Sequence, residues 1–229
     1  MNQGQLFVVA TPIGNLDDIT FRAIEILKRC PIIACEDTRV SVNLLKKFNI
    51  SATLLPYHDK NERLQTEYLI QKIKVGVSVA IICDAGTPTI SDPGFRIVRE
   101  CKKNNIEVIP IPGPCALTAA LSASGLPTNH FLFLGFPGHK DSERVKILEK
   151  YAAFEATLIF YESCHRIGKF LNNIFTVYGA SRIVAICKEL TKIHEAILTA
   201  PIADILIIVK EMTIKGEFVV LIAPQDYSL

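Results

Sequence analysis

Four polar residues in a row, Glu36-Asp37-Thr38-Arg39, follow directly on the apolar run Ile32 to Cys35. Two carboxylates beside a guanidinium suit a general base with an anion-holding partner. The same four residues also suit a helix cap with an exposed ion pair. A third carboxylate of interest, Asp92, lies in the Gly/Pro-rich stretch that runs from Asp84-Ala85-Gly86-Thr87-Pro88 to Ser91-Asp92-Pro93-Gly94. Such a stretch lets backbone come close to a ligand, though a plain strand-to-helix turn has the same composition. Glu162-Ser163-Cys164-His165-Arg166 and Lys188-Glu189 carry the same double meaning: catalytic and binding groups, or caps and surface ion pairs. Pro137-Gly138-His139-Lys140, with Arg144 close behind, is a basic turn.

These groups have to be placed by something, and the apolar runs show what. Val77 to Cys83 is β-branched and apolar throughout most of its length, as in a strand buried on both faces of a parallel sheet. Leu6 to Ala10, Ile32 to Cys35, Thr53 to Tyr57 and Glu107 to Pro110 read as four more strands. Helical patterns follow at Ile19 to Leu27, Val40 to Phe48, Arg63 to Lys74, Phe95 to Lys103 and Cys115 to Ser124. Five rounds of strand, loop and helix predict a mainly parallel, three-layer α/β sheet. Open α/β sheets bind ligands at the carboxyl ends of their strands, which is where the Gly/Pro loops fall.

The turn at Gly125 to Asn129 predicts a boundary, giving α/β domains over 1–126 and 127–229. In the second, strands are expected at Phe131 to Phe136, Thr157 to Tyr161, Ile183 to Ile186 and Phe218 to Ile222. Helices are expected at Ser142 to Tyr151, Ile167 to Val177 and Pro201 to Met212, with Pro201 in a first turn. Sequential strands there could pair antiparallel, giving a mixed sheet.

Composition narrows the class. Of 229 residues, 49% are hydrophobic and 21% charged, so the chain is globular rather than disordered. A net charge of +2 does not announce nucleic-acid binding, but permits a local basic patch. Seven scattered cysteines without a C-x-x-C pair suit reduced thiols in a cytoplasmic protein. No apolar run approaches the ~18 residues of a membrane span. There is no P-loop, no G-x-G-x-x-G, no nucleophile elbow and no metal-ligand spacing. What remains is a small ligand held largely by main-chain groups.

LFVVATPIGNLDDIT, ACEDTR, ICDAGTPTISDPG, VIPIPGPCA, LFLGFP, IFYESCHRI, CKELTKIHE and KGEFVVLI, in that order, resemble the tetrapyrrole-methylase-like class of S-adenosylmethionine methyltransferases. Within it the resemblance is greatest to the enzymes that 2′-O-methylate a cytidine in the decoding region of 16S rRNA. It covers nearly the whole chain. It implies two α/β domains with S-adenosylmethionine in the cleft between them, a homodimer, and 16S rRNA or the 30S ribosomal subunit as partner.

Carried over by position, the resemblance implies cofactor contacts at Asp84, Gly86, Thr87 and Ile90 of the central loop. Cys115 and Ala116 after the PGP turn, Pro12 and Gly14 at the floor, and Tyr161, Gly216 and Glu217 complete the set. Cys115 stands where serine is expected, which bears on a hydroxyl hydrogen bond. Such enzymes often have a further C-terminal segment, and this sequence ends shortly after Phe218 to Ile222; RNA recognition is then expected to rest more on the two core domains. The candidate bases for a ribose hydroxyl are Glu36, Asp37 and Asp92, with His165 behind them. Arg39, Lys140, Arg144, Arg166 and Lys188 are the candidates for RNA phosphate. Two other activities fit the same fold: a small-molecule tetrapyrrole methylase, and a non-catalytic adenosylmethionine-binding ribosome-assembly factor. The clustered basic residues argue against the first.

Overall fold

The computed structural model describes residues 3–229, which divide into two compact units, one ending at Cys115 and one running from Ala116 to Leu229. The first holds five parallel strands: β1 Leu6–Val9, β2 Ile32–Cys35, β3 Thr53–Pro56, β4 Val79–Ile82 and β5 Val108–Ile111. Helices α1 Phe21–Arg29, α2 Thr38–Lys47, α3 Glu62–Lys74 and α4 Phe95–Lys103 link them. The sheet order is β3-β2-β4-β1-β5. The all-apolar β4 is buried along its length because both sheet faces are covered. On one face Val9, Ile33, Cys35, Ala80 and Ile82 meet Ile26, Leu27, Leu44 and Leu45 of α1 and α2. On the other Leu6, Ala34, Val79 and Ile81 meet Leu69, Ile73, Ile97 and Cys101 of α3 and α4. The period-2 alternation of short strands thus feeds two cores, and the three-layer expectation holds.

The helix ends follow local chemistry. Thr20 accepts from the Ala23 N–H to open α1, and Asp37 accepts from the Arg39 N–H to open α2. Lysines and arginines sit in the last turns of α1 through α4, where they complement the helix dipole.

The second unit comprises α5 Ala116–Ala123, β6 Phe131–Phe133, α6 Asp141–Lys150, β7 Thr157–Ser163, α7 Ile167–Tyr178, β8 Ile183–Lys188, β9 Ala196–Pro201, α8 Ile202–Glu211 and β10 Glu217–Ile222. Its sheet order is β6-β7-β10-β8-β9, mixed: β6 and β7 are parallel, and the other pairs antiparallel. Leu158, Phe160, Val184, Ile186, Phe218, Val220 and Ile222 face the core made with α6, α7 and α8. One strand departs from expectation. Ala196–Pro201 pairs with β8 over its whole length, so Pro201 ends a strand and precedes α8 rather than lying in its first turn. Every residue of β9 is half-buried, so no inside/outside alternation marks it.

Candidate active site

Because all strands of the first unit run the same way, their carboxyl ends share one edge, and three Pro/Gly turns emerge there. Thr11 and Gly86 exchange both main-chain hydrogen bonds, at 2.8 and 3.0 Å, stitching the β1 turn to the β4 turn. The Thr11 hydroxyl donates to the Cys83 carbonyl at 3.1 Å, and the Thr87 hydroxyl donates to the Pro114 carbonyl at 3.0 Å. The loop after β4 then bends sharply. Gly86, Thr89, Ser91 and Gly94 all have positive φ, two of them non-glycine residues in a region L-residues rarely adopt. At Gly86, with φ 87°, a Cβ would meet the Ile13 side chain at 3.3 Å and lie 3.8 Å from the Pro114 oxygen. The three turns thus form a main-chain cradle that a side chain would fill, as a small ligand read through backbone groups requires. Pro12 and Gly86 are buried in it, Thr87 and Ile90 half-buried, and Gly14 and Asp84 exposed.

Carboxylates border the cradle. The Asp37 N–H donates to Asp84 Oδ1 at 3.0 Å, joining the ends of β2 and β4. Burial lifts the Glu36 carboxyl above its usual range; the charges of Asp84 and Asp59 add to this, while a main-chain hydrogen bond from Asp84 and the charge of His58 oppose it. Asp84, though solvent-accessible, is lifted in the same direction by partial desolvation and the charge of Asp37, against the Asp37 N–H bond and the charge of Arg39. Asp92 adjoins the Cys83 thiol, which burial pushes strongly up. Asp37 behaves oppositely. It accepts from Arg39 Nε and Nη2 and from the Arg39 N–H, and these bonds bring its carboxyl down to about 2. Of the two meanings of the acidic motif, Asp37 and Arg39 realise the cap and ion pair, which makes Asp37 a weak base. Glu36, beside them, has the lifted carboxyl that proton abstraction wants. Arg39 is 89% exposed and keeps an outward face. His58 and Asp59, which follow β3, also belong to this edge; their place directly after a strand was the signal.

In the second unit β7 and β8 run in one direction, so their carboxyl ends share an edge with the start of β10. The Tyr161 hydroxyl accepts from the Leu117 N–H at 3.1 Å, satisfying an open donor in the first turn of α5, which Ala116 begins. Phe133 and Phe136 meet the Tyr161 ring edge-on. Glu217 pairs with Lys192, which also pairs with Glu189; the Glu217 N–H donates to Glu189 as well. A Cβ on Gly216, where φ is 93°, would collide with the Glu189 carboxylate. Lys192 thus ties the end of β8 to the start of β10, a link that sequence spacing shows only for its neighbour Glu189.

Two expected phosphate contacts are corrected. Arg144 is only 2% exposed: it donates to Asn173 Oδ1, Asp141 Oδ1 and the carbonyls of Gly138 and His139. Its guanidinium is a strut that ties the basic turn to α6 and α7. Lys188 is also buried, on the core side of its strand, and its ammonium donates to the Thr213 carbonyl at 2.7 Å. Lys140 is exposed, and Arg166 is partly so while paired with buried Glu162. His165 is exposed. Among the described residues no cluster of His, Cys, Asp and Glu could hold a metal, and no helix is long and apolar enough to cross a membrane.

The tetrapyrrole (corrin/porphyrin) methylase family matches residues 5–206. Ribosomal RNA small subunit methyltransferase I of Escherichia coli O157:H7 is 47% identical over 223 residues, covering 96% of this chain and 78% of that protein. The protein of the same name from Vibrio cholerae is 45% identical, covering 95% and 76%. Among solved structures, uroporphyrin-III-C-methyltransferase from Thermus thermophilus shares the fold at a TM-score of 0.67 and 18% identity, covering 96% of this chain and 94% of its own. The chain belongs to the tetrapyrrole (corrin/porphyrin) methylase family, in its ribosomal RNA small subunit methyltransferase I branch.

Proposed function

We propose that this protein transfers a methyl group from S-adenosylmethionine to the 2′-hydroxyl of a cytidine in the decoding region of 16S rRNA. The observation that carries the mechanism is the joining, on one sheet edge, of a main-chain cradle at Gly86 with a carboxylate lifted by burial at Glu36. Asp84, Gly86, Thr87 and Ile90, with the Pro12–Gly14 and Pro114–Cys115 turns, hold the cofactor through backbone groups. Tyr161, Gly216 and Glu217 are proposed as its contacts in the second unit. When bound, the cofactor supplies a methyl already activated on a sulfonium.

The work left to the protein is alignment and removal of one proton. Glu36 takes the ribose hydroxyl proton, and the lifting of its carboxyl by burial makes it a stronger base than an ordinary carboxylate. Asp92, next to the cradle, is the second candidate. Arg39, Lys140 and Arg166 hold backbone phosphate. A homodimer in the cytoplasm, acting on free 16S rRNA or on the 30S subunit, completes the proposal.

Mass spectrometry of 16S rRNA from a deletion strain tests it. A 2′-O-methylcytidine that disappears on deletion, and returns with the wild-type gene but not with Glu36→Gln, is the expected result. Unchanged rRNA modification overturns the proposal.

A further inference from the structure

At the basic turn of the second unit, three side chains are linked end to end. Glu162, on β7, is 1% exposed. Its Oε1 accepts from the Ser163 N–H and from Arg166 Nε, both at 2.8 Å. Arg166 Nη1 lies 2.9 Å from His139 Nδ1. A guanidinium has donors only, so Nδ1 must be the acceptor and the ring proton sits on Nε2. His139 is exposed, so this neutral N–H is accessible to solvent beside the Arg166 guanidinium, and exposed Lys140 follows it in the chain.

The inner end of the chain is informative. Glu162 Oε2 is buried with no hydrogen-bond partner among the described residues. A half-satisfied buried carboxylate is a poor device for stability. It is a good device for fixing one arginine rotamer, since Arg166 Nε is bound from within while the outer guanidinium remains partly exposed.

We propose that Arg166 and His139 form a preorganised clamp for one RNA phosphodiester, with Glu162 as its positioning residue. The clamp rests on the rRNA-directed activity proposed above, and it adds a neutral donor, His139, to the cationic contacts. Phosphate oxygens are met in this way by charged and neutral donors together. Two carboxylates lie nearby without closing the site: Asp141 is paired with Arg144, and Glu143 accepts from the Lys140 N–H.

The neutral tautomer makes the clamp testable, because only a charged contact releases counterions. Filter binding of a 16S rRNA fragment containing the decoding region would be measured across a salt series. Arg166→Gln should weaken binding about tenfold, the scale of one charge-assisted hydrogen bond, and flatten the log affinity against log salt slope by about 0.7. His139→Ala should also weaken binding about tenfold but leave the slope as in wild type. His139→Gln can accept from Arg166 and still donate outward, and should recover most of the loss. Glu162→Gln, which keeps the Oε1 acceptor, should bind like wild type, whereas Glu162→Ala, which frees the arginine rotamer but keeps its charge, should weaken binding with the wild-type slope retained and cofactor affinity unchanged. Wild-type binding by both His139→Ala and Arg166→Gln overturns the clamp alone. A wild-type protein that binds no rRNA overturns the rRNA activity and the clamp with it. A flattened slope for His139→Ala overturns the neutral donor.

Discussion

Thr11 and Gly86 face each other across the carboxyl edge of the first sheet and exchange two main-chain hydrogen bonds, at 2.8 and 3.0 Å, although 75 residues separate them. The pair fixes the β4 turn to the β1 turn with no side chain between them. Gly86→Val should therefore fail twice. Its φ of 87° is adverse for any L-residue, by about 1–2 kcal/mol, and its Cβ would press on Ile13. Calorimetry should show loss of S-adenosylmethionine binding in a variant that still unfolds cooperatively. Unchanged affinity would remove the loop from the cofactor site.

Glu36 and Asp37 are adjacent, yet their environments drive them apart, and substitutions should separate them. Glu36→Gln should lower the single-turnover methylation rate by ~10²-fold or more, the usual worth of a positioned base. Asp37→Asn should leave turnover near normal, because asparagine caps α2 about as well as aspartate. A slow Asp37→Asn enzyme beside a fast Glu36→Gln enzyme would reverse the assignment.

The two carboxyls also predict opposite pH behaviour. The folded-state pKa of Glu36 is raised, so its stabilising contribution is full below the ordinary carboxylate value of 4.5 and is lost as pH rises through the raised value. Glu36→Gln should then gain in Tm relative to wild type as pH rises toward neutrality. Asp37 is depressed from 3.8 to about 2, so its contribution is present above 3.8 and is lost as pH falls through about 2. Thermal unfolding of Glu36→Gln and Asp37→Asn at pH 3, 5 and 7 (about one point per regime) checks both signs.

Arg144→Ala should destabilise the second unit by about 3 kcal/mol, since it strands Asn173 and two carbonyls that the guanidinium now satisfies. Urea unfolding measures this. Lys140→Glu should leave stability within about 0.5 kcal/mol and weaken rRNA binding in a salt-dependent way. If Arg144→Ala is as stable as wild type and loses only RNA affinity, the guanidinium faces solvent after all.

Much of the first unit is legible in the sequence because each signal is local. Buried parallel strands are short apolar runs, and Thr20, Asp37 and the terminal lysines mark their helices. The candidate cradle was legible for the same reason: its glycines and prolines sit at strand ends. What stayed hidden depends on distant partners. Arg144 has the spacing of a surface arginine on α6, and Asn173, 29 residues away, joins Asp141 and the Gly138 and His139 carbonyls in holding it inward. β9 escaped because an edge strand half-buried throughout shows no alternation, and the proline that ends it resembles a helix start. Asp37 is ambiguous in sequence because capping and catalysis want the same residue type; the structure adds its bond to Arg39, a partner two residues away.

The sheet order of the first unit has a consequence during synthesis. β1 is made first, but its neighbours are β4 and β5, and Leu6 is in register with Val79 and Val108. At roughly 5–20 residues per second, the nascent Leu6–Val9 segment must wait on the order of 4–15 s after emerging before its first partner follows it. β2 and β3, by contrast, can pair as soon as Thr53–Pro56 has followed α2 out. Until β4 arrives Leu6–Val9 has no neighbour in its sheet, so the β2–β3 pair is the natural first piece of native sheet and β4 the strand that joins it to β1.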